Sequence, residues 1–160
     1  MRLRRVTRYL GRWIRSTDWY PDHQIRLFDR RRARWTGAHV HETLRVEGSV
    51  GTLDGELQHF PYRNLADHLE TIDRYTTLAA RQMHERGMSG DLEQPRPPPP
   101  LAFVRNYLLR GGFRDRGPGL IASTMNAYYV FLKLAKLWEL ERSPARREQA
   151  SDRGAAAAPR

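Results

Sequence analysis

Apolar and polar residues in the first sixty positions follow two different patterns. In residues 3–14 the apolar residues recur at helical spacing opposite a row of arginines, which predicts an amphipathic helix. Gly11 within this stretch leaves an irregular loop as the alternative. Residues 24–29, 34–36, 41–48 and 50–59 alternate instead between apolar and polar side chains, with turn residues between the runs. These runs predict short strands joined by loops.

From Asn64 onward the pattern becomes helical. Asn64 is a favourable N-cap, and the apolar residues that follow it recur at helical spacing. Gly87 supplies a stop signal at the other end. These three signals together predict a helix over residues 65–86.

Prolines and glycines divide the rest of the chain. Residues 88–100 contain five prolines and predict a stiff, extended spacer. Residues 101–110 predict a helix that ends at a glycine pair, residues 113–119 a loop, and residues 120–140 a third helix. The alanine- and arginine-rich residues 143–160 predict a disordered tail.

The predicted third helix is long enough to cross a bilayer, but four polar or charged residues interrupt it. These are Asn126, Lys133, Lys136 and Glu139. An amphipathic helix in the membrane interface is therefore favoured over a membrane span. Packing against a neighbouring domain is the alternative.

Charge is distributed unevenly along the 160 residues, whose formal net charge is +10. Residues 1–35 hold 11 arginines and 3 aspartates, whereas residues 36–93 hold 5 arginines and 10 acidic residues. Basic ends suit phosphate groups on lipids, sugars or nucleic acids. The acidic middle segment disfavours a nucleic-acid partner, and the lack of cysteine excludes zinc fingers, disulfides and a thiol nucleophile.

Three sequence stretches occur in an informative order. The first is Trp-Tyr-Pro-Asp-His-Gln-Ile-Arg-Leu-Phe at 19–28, followed by Val-His-Glu at 40–42. The second is His-Phe-Pro-Tyr-Arg-Asn-Leu-Ala-Asp-His-Leu at 59–69. The third is Phe-Val-Arg-Asn-Tyr-Leu-Leu-Arg-Gly-Gly-Phe-Arg-Asp at 103–115, followed by Phe-Leu-Lys-Leu-Ala-Lys-Leu-Trp-Glu at 131–139. Together they resemble the carboxy-terminal part of family 2 glycosyltransferases, in particular the lipopolysaccharide-core glucosyltransferase-like members.

The resemblance implies a GT-A fold, whose first half grips a nucleotide-sugar through an Asp-x-Asp motif and a divalent cation, Mg²⁺ or Mn²⁺. No Asp-x-Asp motif occurs in this sequence. We therefore expect an α+β chain in which an acceptor-side remnant of the GT-A fold precedes a helical extension. The expected divisions are a partial acceptor-side region at 1–63, a long helix at 64–87, the spacer at 88–100, a membrane-associated helical extension at 101–142 and the tail at 143–160. On this interpretation the donor-binding half is missing, through truncation or supply from elsewhere, and we expect the chain alone to be inactive.

The resemblance implies that the catalytic residues lie in the Val-His-Glu motif. Glu42 or His41 would be the general base that deprotonates the acceptor hydroxyl. His39 and His41 have the spacing that places two imidazoles on one face of a strand, where they could share a metal ion. The alternative is that these side chains only hydrogen-bond neighbouring loops.

Five further residues are candidates for substrate binding. Trp19, Tyr20 and Trp35 offer flat apolar faces that stack on sugar rings. Asp22 would accept hydrogen bonds from acceptor hydroxyls, and Arg26 would contact phosphate. The alternatives are core packing for Trp35, capping of a turn for Asp22 and a solvated strand position for Arg26.

The resemblance implies an inverting enzyme that transfers a hexose from a nucleotide-sugar to a lipopolysaccharide or other cell-envelope glycan acceptor. Its partners would be the nucleotide-sugar donor, a lipid-linked or lipopolysaccharide acceptor, and the inner-membrane surface. It would lie in the cytoplasm, peripheral to the inner membrane. The alternative is a basic, non-catalytic module that binds a membrane surface or nucleic acid.

Overall fold

The computed structural model describes residues 1–36, 43–90 and 98–142. Within them, two small sheets precede three α-helices, which confirms the expected α+β class. The strands are β1 (Arg2–Tyr9), β2 (Arg12–Ile14), β3 (Asp22–Ile25), β4 (Ala33–Thr36), β5 (Thr43–Val46) and β6 (Thr52–His59). The helices are α1 (Leu65–Glu85), α2 (Pro99–Val104) and α3 (Arg116–Arg142). The division into the five regions predicted above stays a prediction.

The central strand of the larger sheet is β1. The antiparallel strands β2 and β3 share one of its edges, and β6 pairs with the other edge in parallel. A second sheet pairs β4 with β5. The short strands predicted from alternation are confirmed, although the first of them begins two residues earlier and ends at Ile25.

The helix predicted for residues 3–14 is wrong, because these residues form β1, a tight turn and β2. Leu10 and Gly11 both have positive φ, 45° and 81°, as a two-residue hairpin turn requires. The strand also pairs in parallel with β6, which lies far away in the sequence, with a shift in register between Arg2 and Arg4. This tertiary pairing overrides the helical spacing of the local sequence.

The helix predicted over residues 65–86 is confirmed as α1. The Asn64 side chain accepts a hydrogen bond from the backbone N–H of Asp67 at 2.9 Å, which satisfies one of the free donors of the first turn. At the other end Gly87 has a φ of 68°, the left-handed conformation that commonly stops a helix.

The second predicted helix is confirmed, and it has two parts. Pro99 and Pro100 begin α2, so the extended spacer does not reach residue 100. Prolines are tolerated there because the first turn of a helix does not need their missing N–H groups. A π-helical turn, Arg105–Leu109, follows α2, and Gly111 with a φ of 70° ends it.

The loop predicted for residues 113–119 is wrong. A 3₁₀ turn, Gly112–Asp115, leads directly into α3, which begins at Arg116. Pro118 lies in the first turn of α3, where a missing N–H costs nothing. Gly119 packs so closely on the preceding turn that an added Cβ would lie 1.9 Å from the carbonyl oxygen of Gly112. The glycines therefore permit close packing here and do not mark a loop.

The third predicted helix is confirmed as part of α3, which packs on α1 and α2. Lys136 ties α3 to α1, since its Nζ donates to the backbone oxygen of Asp73 and to the Thr77 hydroxyl, each at 2.7 Å. The third helix therefore packs on helices of the same chain, while its contact with a membrane or with a neighbouring domain stays a prediction. No helix in the described ranges is both long and apolar enough to cross a membrane. Residues 91–97 of the spacer and the predicted tail lie outside the described residues.

Candidate functional site

A cleft of about 510 Å³ lies where the larger sheet meets α1 and α3. A smaller pocket of about 140 Å³ adjoins it, because the two share Arg5, Trp19 and Tyr62 in their walls. We call the two together the aromatic cleft. Its further lining includes Asp18, Asp22 and His59 on one side and Tyr75, Asn126 and Tyr129 on the other.

The rings of Trp19, Tyr62 and His68 form the floor of the aromatic cleft, and the buried ring of Tyr9 contacts all three. The rings of Tyr62 and His68 are stacked with their centroids 4.1 Å apart, and Trp19 meets the Tyr9 ring edge-on at 5.0 Å. The Tyr9 hydroxyl is hydrogen-bonded to Nδ1 of His68 at 2.7 Å. Burial lowers the pKa of His68 to about 4, so the imidazole is neutral at pH 7. The floor is therefore rigid and uncharged.

A charged side wall stands beside this floor. The Asp22 carboxylate pairs with the Arg5 guanidinium at 2.5 Å and accepts a hydrogen bond from the Gln24 amide at 2.8 Å. His59 lines the same pocket. Burial, and then the nearby positive charge of Arg5, lower the pKa of His59. This wall therefore offers both donors and acceptors within one small pocket.

Asp18 forms a rim that joins the cleft to the helical part of the chain. Its backbone N–H donates to Oδ1 of Asn106 at 2.7 Å. Its carboxylate pairs with Arg105 at 3.1 Å and lies 3.6 Å from Nε of Arg110. The rim is thus held by the π-helical turn and by Arg110, which caps it.

Taken together, these groups suit a polar ligand with apolar faces. Exposed ring surface in the cleft can stack on C–H-rich faces of a sugar. Carboxylates, a guanidinium and the Asn126 amide can exchange hydrogen bonds with hydroxyl groups. The volume of the larger pocket, about 510 Å³, also lies within the range of roughly 300–1,000 Å³ that is common for small-molecule sites.

The structure places two of the predicted acceptor-binding residues in the cleft and a third outside it. Trp19 lines both pockets, and Asp22 lines the smaller one. Tyr20 lies elsewhere, where its hydroxyl donates to Oε1 of Glu56 at 2.9 Å and Arg15 lies over its ring. Tyr20 therefore contacts Glu56 and Arg15 and does not line the cleft.

The remaining predicted binding residues, Trp35 and Arg26, are not part of the cleft lining. Trp35 is on β4 and is 57% exposed, so it is not packed in a core. Arg26 follows β3, its side chain is exposed, and its backbone N–H donates to the Met1 carbonyl at 3.3 Å. Its charge is near enough to contribute to the lowered pKa of His59.

The predicted catalytic residues cannot be placed in the same way. His39, His41 and Glu42 lie outside the described residues, so their roles stay predictions. In the part of the chain that the structure describes, no group of three or more His, Asp or Glu side chains is positioned to hold a metal ion.

Several cleft residues were missed from the sequence, and the reasons differ. Arg5 was counted on the basic face of a helix that does not exist. Tyr62 lies within one of the three quoted stretches, where its aromatic ring was a usable signal. Asn126 is marked in the sequence only as a polar interruption of the third helix, and Tyr75 and Tyr129 carry no local signal. Only the packing of α3 on α1 brings the three together.

Comparison with known proteins adds a relationship to this geometry. No family model matches the chain, and no solved structure matches it either. The chain is 32% identical over 124 residues to the lipopolysaccharide core biosynthesis glycosyltransferase LpsC of Rhizobium meliloti (strain 1021). This similarity supports a glycosyltransferase-related family. The match covers 76% of this chain and 46% of LpsC, so the chain spans about half the length of that relative.

Proposed function

We propose that this chain forms the acceptor side of an inverting, family 2-like glycosyltransferase. The reaction would transfer a hexose from a nucleotide-sugar to a lipopolysaccharide or other cell-envelope glycan, at the cytoplasmic side and peripheral to the inner membrane. The similarity to LpsC over 124 residues carries this proposal. The described region would then correspond to the acceptor-side remnant of a GT-A fold and its helical extension.

The aromatic cleft supports the acceptor role. It combines ring faces, two carboxylates and an amide, which are the groups that bind a glycan through stacking and hydroxyl hydrogen bonds. We propose that Trp19 and Asp22 bind the acceptor there. Tyr20, Trp35 and Arg26, which lie outside the cleft lining, remain proposals from the resemblance alone.

The chemical step needs a base at the acceptor hydroxyl and help for the leaving diphosphate. We propose Glu42, or else His41, as the base. A divalent cation, Mg²⁺ or Mn²⁺, would neutralise the diphosphate, with His39 and His41 as its proposed ligands. Among the residues that the structure describes, no group of three or more His, Asp or Glu side chains is positioned to hold this cation. Because the sequence has no Asp-x-Asp motif, we also propose that the 160-residue chain does not turn over donor by itself.

Acceptor binding can be tested with two matched tyrosine variants. Tyr75 lines the cleft and is 39% exposed, whereas Tyr128 on α3 is 40% exposed and is not part of the lining. Isothermal titration of the chain with a lipopolysaccharide core oligosaccharide should show binding that Tyr75→Ala weakens about fivefold, since one stacking ring contributes about 1 kcal/mol. Tyr128→Ala should bind normally. Equal affinities for the two variants would contradict the site.

The base can be tested in a full-length relative. Replacing the residue that aligns with Glu42 by Gln should lower transfer by about a hundredfold or more and leave donor binding unchanged, because general-base catalysis contributes about that much. Near-normal transfer would show that another residue is the base, and the same substitution at the position aligned with His41 would then be examined.

A further inference from the structure

The segment between α2 and α3 exposes apolar side chains beside arginines. We call residues 105–116 the basic corner. Leu108 is 55% exposed, Phe113 is 50% exposed, and Leu109, at 78%, is the most exposed large hydrophobic residue in the described ranges. Phe113 also contacts the ring of Tyr107 edge-on, with centroids 6.4 Å apart. The corner therefore keeps a group of apolar side chains in water, which is unfavourable unless something covers them.

The outward charge of the basic corner is positive. It contains four arginines, at 105, 110, 114 and 116, and a single acid, Asp115. Asp115 is buried and faces inward, where its Oδ2 accepts hydrogen bonds from the Ser16 hydroxyl at 2.6 Å and the backbone N–H of Arg15 at 2.9 Å. Asp115 therefore does not offset the arginines at the surface, whereas Asp18, outside the corner, pairs with Arg105 and Arg110.

The fold holds the apolar side chains outward. The π-helical turn closes with a hydrogen bond from the Arg110 N–H to the Arg105 carbonyl at 2.8 Å. Fully buried Asn106 anchors this turn, and the Arg110 carbonyl accepts from the N–H of Thr17 at 3.1 Å. Because the backbone is fixed on its inner side, Leu109 cannot turn inward without breaking these contacts.

We propose that the basic corner docks this chain on an anionic lipid bilayer. Leu108, Leu109 and Phe113 enter the interface between headgroups and acyl chains, while the arginines contact the phosphates. A bilayer is favoured over a second copy of the chain, since a symmetric interface would place the four arginines against four arginines. Anionic phospholipid has the charge that complements them.

Docking at this place also bears on the aromatic cleft. Asp18 lines the cleft and pairs with both Arg105 and Arg110, so the docked corner holds the cleft close to the headgroups. A lipid-linked acceptor would then be presented beside its site. This consequence rests on the proposed function. The docking deepens the peripheral membrane location proposed there, and vesicle binding tests it separately from glycan binding.

Co-sedimentation with vesicles tests the docking. The full chain should bind vesicles of phosphatidylethanolamine and phosphatidylglycerol, and should bind phosphatidylcholine vesicles much less. The double variant Leu108→Ser, Leu109→Ser should bind the anionic vesicles at least about tenfold more weakly. The double variant Arg114→Gln, Arg116→Gln should lose about 25-fold in affinity for the anionic vesicles at low salt, which is about fivefold for each arginine.

Matched controls lie away from the corner. Leu27→Ser removes a leucine that is 59% exposed, and Arg30→Gln with Arg81→Gln removes two exposed arginines. These variants should bind anionic vesicles more strongly than the corner variants with the matching residue types. Circular dichroism checks that each variant folds. If the double leucine variant does not fold, the single variant Leu109→Ser, at the most exposed position, replaces it in the vesicle assay.

Three results would overturn the docking proposal. The first is wild-type binding by both corner variants, and the second is equal binding of the wild type to neutral and anionic vesicles. The third is a wild-type dimer in light scattering that the leucine variant dissociates, which would assign the corner to self-association.

Titration with soluble core oligosaccharide separates the two proposals. If the leucine variants no longer bind vesicles but still bind the oligosaccharide, the result supports docking. A wild-type chain that binds vesicles but no oligosaccharide supports docking and contradicts the acceptor site.

Discussion

The aromatic cleft and the basic corner use similar residue types in opposite surroundings. In the cleft, Arg5 pairs with Asp22, and the ring of Trp19 contacts neighbouring rings. In the corner, Leu109 and Arg114 are exposed and the nearby acid is turned inward. Arginine and apolar content therefore do not identify a partner by themselves. A concave wall of partnered polar groups suits a glycan, whereas exposed apolar side chains beside outward arginines suit lipid headgroups.

Gly119 packs under the corner near the start of α3, the helix that also lines the cleft, and a substitution there should have the largest effect. Gly119→Ala would place a Cβ 1.9 Å from the Gly112 carbonyl oxygen, so α3 or the corner must move. We expect the free energy of unfolding to fall by about 3 kcal/mol or more in urea denaturation. Gly117→Ala is the control, since its Cβ would meet open space, and it should change stability by less than about 1 kcal/mol. Equal stability of the two variants would mean that the helix start is not packed as described.

Acid should weaken the cleft floor and leave the corner unaffected. The folded chain holds His68 with a pKa of about 4, below its ordinary value of 6.5, so the unfolded chain binds a proton first as pH falls. The contribution of His68 is therefore complete above pH 6.5 and is lost toward pH 4, by up to about 3 kcal/mol. The measurement is urea denaturation across this range in a His59→Gln background, because the pKa of His59 is also lowered.

The exposed His23 provides the control for this pH dependence. His23→Gln should retain the loss of stability toward pH 4, whereas His68→Gln should flatten it. A stability that is constant between pH 7 and pH 4.5 in the His59→Gln background would contradict a neutral, buried His68.

Substitution of Asp18 should have the smallest effect on stability, and it should change vesicle binding and oligosaccharide binding in opposite directions. Asp18→Asn removes the carboxylate shared by Arg105 and Arg110, and exposed pairs of this kind contribute only about 0.5 kcal/mol to stability. Binding to anionic vesicles should rise about fivefold, because one negative charge is lost at the surface. Oligosaccharide binding should weaken, since Asp18 lines the cleft. Weaker vesicle binding would show that Asp18 positions the arginines and does not oppose them.

Local sequence signals predicted those parts of the fold in which they agree with one another. For α1, the Asn64 cap, the helical spacing and Gly87 all point to the same boundaries. The helix predicted for residues 3–14 was wrong because helical spacing is a local signal, whereas the pairing of β1 with β6 joins segments that are distant in the sequence. The turn before α3 misled because glycine can signal close packing as well as a loop, and only the structure shows the contact at Gly119.

The candidate site was only partly predictable for the same reason. Trp19 and Asp22 lie in a stretch whose resemblance pointed to the acceptor, and the structure places both in the cleft. Arg5 was assigned to the wrong element, so its pairing with Asp22 was hidden. Tyr129 comes from a helix whose position depends on tertiary packing, and its sequence neighbours do not mark it as a site residue.

The central claim is that the aromatic cleft binds the glycan acceptor, and the indole N–H signals of the four tryptophans test it directly. Trp19 lines the cleft, whereas Trp35 and Trp138 are exposed and are not part of its lining. In an NMR titration with lipopolysaccharide core oligosaccharide, the Trp19 signal should shift and saturate while the signals of Trp35 and Trp138 stay in place. A Trp19 signal that does not move, with or without a shift at Trp35, would contradict the account.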